Sequence, residues 1–227
     1  MNTTCTARGS RGEIWLYDPI GSSYFGDSIS AKSFQKELTA LGKVDTINLH
    51  INSPGGDVWA GFAIYNQLKA HPATIIVDVD GVAASIASII AMAGDTIRVA
   101  KNAMVMIHNP QGGAYGDEKE MERTAALLRQ VKDSLTQTYV DRTGNKPAAV
   151  SAWMDDETWF TADAAVENGF ADAITPETPV ANCFDLSPYR NAPQALKTPM
   201  PLANMARAMN AIRLADASRK VAALCKP

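Results

Sequence analysis

The sequence predicts an α/β fold with a mainly parallel sheet, and three observations predict it. Short β-branched runs alternate with segments of helical period along most of the chain. One of those runs, Thr74 to Asp80, reads as β-branched and apolar, as a buried strand should be. The strand-to-helix corners carry glycine or proline, which suits right-handed crossovers between parallel strands.

Each element follows from local pattern. Glu13 to Tyr17 reads as a strand ended by Asp18, Pro19 and Gly21. From Ser30 to Leu41 the period is helical: Ser30 is the cap, and Phe34, Leu38 and Leu41 share a face. Thr46 to Ile51 alternates as a strand and runs into Asn52-Ser53-Pro54-Gly55-Gly56-Asp57, and Val58 to Ala70 is predicted as the following helix. Gly81 is expected to end the next strand, with a tightly packed helix over Val82 to Ala93. Thr96 to Val99 and Ala103 to Ile107 are further strands. Asp117 to Arg142 predicts one long helix, stopped at Thr143-Gly144-Asn145-Lys146-Pro147, and shorter helices fit Ala148 to Met154 and Ala162 to Asn168. The expected organisation is a polar N-terminal segment (1–12), a main domain (13–174), a proline-rich linker (175–201), and a C-terminal helix or disordered tail (202–227) in which Met205, Met209 and Ile212 share a face.

Composition narrows the function classes. A formal net charge of -3 gives no reason to expect nucleic acid or an anionic membrane as partner. Cys5, Cys183 and Cys225 form neither a zinc spacing nor a disulfide framework, which points to a reducing compartment. The first residues lack the apolar stretch of a secretory signal, and Gly81 to Gly94 is too short to span a bilayer. The expected location is the cytoplasm, bacterial or of a bacterial host.

Three places carry polar or flexible residues where an α/β core prefers apolar ones. At Ser53-Pro54-Gly55-Gly56 the paired glycines allow close backbone approach and leave N–H groups at a helix start, although a tight βα turn has the same composition. In Gly81-Val82-Ala83-Ala84-Ser85-Ile86-Ala87-Ser88, Ser85 is expected in the first turn of a helix with the N–H of Ile86 beside it; small residues at a packing seam are the bland alternative. His108 ends an apolar strand before Asn109-Pro110. It is better placed as a base than His50, within a strand, or His71, before Pro72, though a strand-end histidine is often structural. In a parallel sheet the loops after Ile51, Asp80 and Ile107 share one rim. A nucleophile, a base and backbone donors at one rim suit acyl transfer.

Asn52-Ser53-Pro54-Gly55-Gly56, Gly81-Val82-Ala83-Ala84-Ser85 and Met106-Ile107-His108-Asn109-Pro110 resemble, in order and spacing, the signature blocks of ClpP-type serine peptidases. The resemblance runs from Glu13 to Ile174. The shortened N-terminal region and the block Asp57 to Tyr65 look more like the head maturation proteases of tailed phages and prophages. It implies a ClpP/crotonase-like fold of repeated ββα-type units, with the long helix as a projecting handle between stacked rings. It also implies Ser85 as nucleophile, His108 as base and Gly56 and Ile86 as oxyanion donors. Counting from the flanking blocks puts the third member at Glu157, with Asp156 as the alternative acid. The implied chemistry needs no metal or organic cofactor. Implied partners are a peptide or protein substrate, further copies of the chain, a capsid or scaffold protein, and an ATPase in the housekeeping alternative. A crotonase-like acyl-CoA enzyme and a catalytically inactive ring subunit are the rival readings. A Ser-Lys peptidase would need a lysine in the blocks around Ser85, and none is there.

Overall fold

The computed structural model describes residues 4–21, 28–178 and 184–196. The expected C-terminal helix, Cys183 and Cys225 lie outside the described residues. Eight strands form one sheet in the order β1 (Thr4–Arg8), β2 (Arg11–Leu16), β3 (Thr46–Ser53), β4 (Thr74–Ala84), β5 (Thr96–Ala100), β8 (Ala173–Thr175). To one side, β6 (Met104–Ile107) pairs with β4, and β7 (Thr158–Thr161) pairs with β6. All pairings are parallel except the hairpin β1·β2 and the pair β6·β7. The helices are α1 (Ala31–Ala40), α2 (Val58–Lys69), α3 (Ile86–Ala91), α4 (Glu118–Thr143), α5 (Pro147–Asp155) and α6 (Ala162–Glu167). The mainly parallel α/β architecture is the one that the alternating pattern predicts.

Helix starts follow capping chemistry. Ser30, Asp57, Asp117 and Thr161 each sit in extended backbone and accept from the N–H three residues on. The core is a continuous cluster between sheet and helices, with Ile14, Leu16, Ile47, Leu49, Ile51, Val77 and Val79 meeting Phe34, Ile64 and Leu68. No helix among the described residues is long and apolar enough to cross a membrane.

One prediction fails at an informative place. Gly81 does not end β4: the strand continues to Ala84, pairing with β5 over Ile76–Val79 and with β6 over Val82–Ala84. The small residues expected to start a helix are held extended by ladders on both sides, since Ala83 also pairs with Ser53 of β3. Helix α3 therefore starts only at Ile86, and Ser85 stands before it rather than in its first turn. Tertiary pairing has overridden helix propensity. Strand β1 lies within the segment expected only to be polar. Part of the expected linker is packed: Leu186 is fully buried and Ala192 nearly so.

On β2 to β5 a band of charge lines one sheet face. His50 Nδ1 lies 2.9 Å from Asp80 Oδ2 and its Nε2 3.2 Å from Glu13 Oε2. Tyr17 donates to the same Asp80 oxygen at 2.6 Å, and Arg98 forks onto Asp78 at 2.7 and 2.6 Å. Trp15 stacks on the imidazole with centroids 5.3 Å apart. Burial disfavours the imidazolium, but hydrogen bonds to Asp80 and Glu13 outweigh it and raise the His50 pKa to about 10. A raised folded pKa stabilises fully below the unfolded value near 6.5, and that contribution fades as pH rises through about 10. His50→Gln should therefore cost about 1–3 kcal/mol at pH 7, and the gap to wild type should narrow between pH 7 and 10, measured by denaturant unfolding.

Candidate active site

The rim at the carboxyl ends of β3, β4 and β6 gathers the residues singled out in the sequence. Ser85 occupies the corner between β4 and α3 with φ 54° and ψ -128°. A non-glycine residue held there costs about 1–3 kcal/mol and needs neighbours that over-determine it. They are present. The Ser85 N–H donates to Met106 O at 3.0 Å. The Ser85 carbonyl accepts from Ser88 Oγ at 2.6 Å, and Ser88 Oγ is 2.7 Å from the hydroxyl of Tyr139. Because the Ser88 proton is committed to Ser85, Tyr139 donates in that pair. Tyr139 comes from α4 and is buried, so the long helix props the corner from behind. In the sequence Ser88 reads as a small residue at a packing seam, and Tyr139 lies unmarked within the long helix.

The sharp corner aims the Ser85 hydroxyl at His108, whose Nε2 lies 2.7 Å from Ser85 Oγ. Desolvation by burial lowers the His108 pKa below its ordinary value, partly opposed by the charge of Glu157. The ring is thus neutral at pH 7, the state a base needs. Of the other histidines, His50 is committed to the sheet network, and His71 Nδ1 accepts from Ala73 N at 3.2 Å.

Gly55 and Gly56 wall the opposite side, with φ of 93° and 147°. A Cβ on Gly56 would stand 2.1 Å from Ile20 O, and one on Gly55 2.6 Å from Ala84 O and 2.7 Å from Ser85 Cβ. Only glycine fits. The bridge between Ile20 and Gly56 is made by Ile20 N to Gly55 O and Asp57 N to Ile20 O, so it leaves the Gly56 N–H unused. The N–H of Ile86 opens α3, where helix geometry supplies no partner. Two backbone donors therefore border the Ser85–His108 pair.

Among the three acidic residues after α5's core, Glu157 is buried while Asp155 and Asp156 are exposed. The Asp155 carboxylate takes Asn109 Nδ2 at 2.7 Å and Lys132 Nζ at 2.6 Å. Glu157 sits at φ 49°. Among the described residues its carboxylate accepts from the N–H of Arg190 at 3.0 Å, the N–H of Asn191 at 2.7 Å and the indole of Trp159 at 3.4 Å, and none of its hydrogen bonds reaches His108.

These groups border a cavity of about 240 Å³ lined by Gly55, Gly56, Ser85, Ile86, His108 and Tyr189, among others. A larger hollow of about 720 Å³ along α1 is lined by Ser30, Lys32 and Lys36 and holds no nucleophile–base pair.

Two outcomes follow from this geometry. Labelling of Ser85 by a fluorophosphonate should lose half its rate only below pH 6.5, because the base is active when unprotonated and its pKa is lowered. Gly56→Ala should reduce that rate by about 10²-fold or more, the scale of one lost oxyanion donor, because the loop must shift off Ile20.

A family model described as Clp protease matches residues 14–178. An "ATP-dependent Clp protease proteolytic subunit" of Bacteroides fragilis is 35% identical over 153 residues, covering 65% of this chain and 74% of that protein. "ATP-dependent Clp protease proteolytic subunit 1" of Leifsonia xyli subsp. xyli is 36% identical over 166 residues, covering 71% and 81%. "ATP-dependent Clp protease proteolytic subunit 2" of Tropheryma whipplei is 32% identical over 166 residues, covering 72% and 91%. With these matches the acyl-CoA reading falls away. The chain belongs to the Clp protease family and is a ClpP-like serine peptidase.

Proposed function

We propose that Ser85, His108 and Glu157 are the triad of an endopeptidase, with the N–H groups of Gly56 and Ile86 as its oxyanion donors. The observation that carries this reading is the 2.7 Å contact between Ser85 Oγ and His108 Nε2, beside two backbone N–H groups that have no partner among the described residues. A peptide enters along the rim. His108 takes the Ser85 proton as Oγ attacks the scissile carbonyl, and the two amides hold the resulting oxyanion. His108 then protonates the leaving amine. Water, deprotonated by the same imidazole, releases the acyl group and restores Ser85. Glu157 stabilises the transient imidazolium, and its buried carboxylate favours it over the exposed Asp156.

For its biological place we propose processing of scaffold or capsid segments during phage head maturation, by stacked rings of this chain in the host cytoplasm. The support is the resemblance of the Asp57 to Tyr65 block. The exposed Met121 and Leu127 on α4 are apolar surface of the kind that ring contacts cover. A second reading, a proteolytic subunit fed by an ATPase, is favoured by the printed names of the relatives.

Ser85→Ala should abolish both fluorophosphonate labelling and hydrolysis of a casein-derived peptide. Glu157→Gln should lower kcat by about 10²–10⁴-fold. Retained hydrolysis in Ser85→Ala would sink the triad. Cleavage of a co-expressed scaffold protein without ATP supports head maturation; degradation only with an unfoldase and ATP supports the second reading.

A further inference from the structure

A peptide already lies across the candidate site, and it is the chain's own. Residues 184–196 return from beyond β8 to cover the apolar patch of Val82, Ala84 and Met106, where Phe184 and Tyr189 pack together with Trp159. Asp185, Pro188 and Tyr189 line the cavity over Ser85. The Tyr189 ring stands edge-on to His108, with centroids 5.4 Å apart, and its hydroxyl donates to Pro54 O at 2.5 Å. The segment thus touches the base and spans the cavity to the glycine loop. Burial raises the Tyr189 pKa, so the phenol keeps its proton as donor.

The same segment holds the acid. The backbone N–H groups of Arg190 and Asn191 take both Glu157 oxygens, at 3.0 and 2.7 Å. Their side chains clamp the acidic loop, Arg190 Nη2 on Asp155 O at 3.1 Å and Asn191 Nδ2 on Asp156 O at 2.6 Å. The two amides take up part of the carboxylate's acceptor capacity, and among the described residues none of its hydrogen bonds reaches His108. Deprived of them, the carboxylate must find another donor, and His108 is near enough to feel its charge.

We infer that residues 184–196 form an autoinhibitory strap, which fills the cavity over Ser85 and engages Glu157 in place of His108. Activity then requires the strap to leave, by displacement or by a cut within the chain. The inference rests on the triad proposed above. Among the described residues the strap's regular structure is a single short turn, Gln194–Leu196. A segment tied into no strand ladder or long helix opens at lower free-energy cost than the core elements.

The test uses the full chain. Tyr189→Ala removes the contact with His108, and Asn191→Pro removes one Glu157 donor. Each should speed fluorophosphonate labelling of Ser85, and raise kcat/KM for a short fluorogenic peptide, by about tenfold. That is roughly the 1.4 kcal/mol expected of one net hydrogen bond or aromatic contact. Tyr189→Phe, nearly isosteric, should give a smaller rise and guards against misfolding of the other two. A synthetic peptide spanning 184–196 should inhibit the variants in trans, which a merely structural segment would not do. Variants with wild-type melting temperature that label no faster than wild type, or a peptide without effect on them, would overturn the strap. If no form of the chain labels at Ser85, the triad itself fails and the strap falls with it.

Discussion

The whole site turns on one strained residue. Ser85 has a positive φ at the junction of β4 and α3, and this corner alone lets the chain leave a buried strand and present a hydroxyl at the sheet rim. Each nearby feature either holds that conformation or exploits it. Met106 O receives the Ser85 amide, while Ser88 of α3 donates to its carbonyl and is itself backed by Tyr139 of the long helix. Gly55 leaves the space that the Ser85 Cβ needs. Because the props come from β6, α3 and α4, the corner can exist only when those elements have docked. The nucleophile is therefore a product of the finished fold rather than of its own segment.

Charge is divided between two separate places. On the outer sheet face, His50 is held cationic among Glu13, Asp78 and Asp80, and it serves cohesion. At the rim, His108 is held neutral by desolvation, with one carboxylate nearby. The two imidazoles differ in protonation because their surroundings differ. That divergence marks out the one suited to proton transfer. The same comparison singles out Glu157, since burial leaves its carboxylate dependent on specific donors while Asp155 and Asp156 are hydrated.

Those donors come from a stretch that composition reads as linker. Proline at 176, 179, 188 and 193 breaks any helix or strand period between Thr175 and Leu196, so no pattern marks the segment as packed. Yet Leu186 and Ala192 are buried, and Phe184 and Tyr189 cover the patch that β4 and β6 would otherwise turn outward. A chain without regular structure can still be specific when its amides satisfy a buried carboxylate. Restraint of the peptidase and completion of its surface become one event.

The sequence by itself determined the alternation of strands and helices, the capped helix starts, the common rim and the candidates Ser85, His108, Gly56 and Ile86. All of these rest on local period, cap chemistry or short motifs. It misplaced the start of α3, because Val82 to Ala84 have helical composition and only ladders to β3 and β6 hold them extended. Counting between the flanking blocks pointed to Glu157 ahead of Asp156, but only the fold shows that Glu157 is buried while Asp155 and Asp156 are exposed. Nor could the sequence bring Tyr139 behind Ser85 or Tyr189 before His108, because those contacts join residues far apart in sequence. What a residue's neighbours along the chain decide was legible; what its neighbours in space decide, including which carboxylate is dry and which tyrosine meets the base, only the tertiary structure settled.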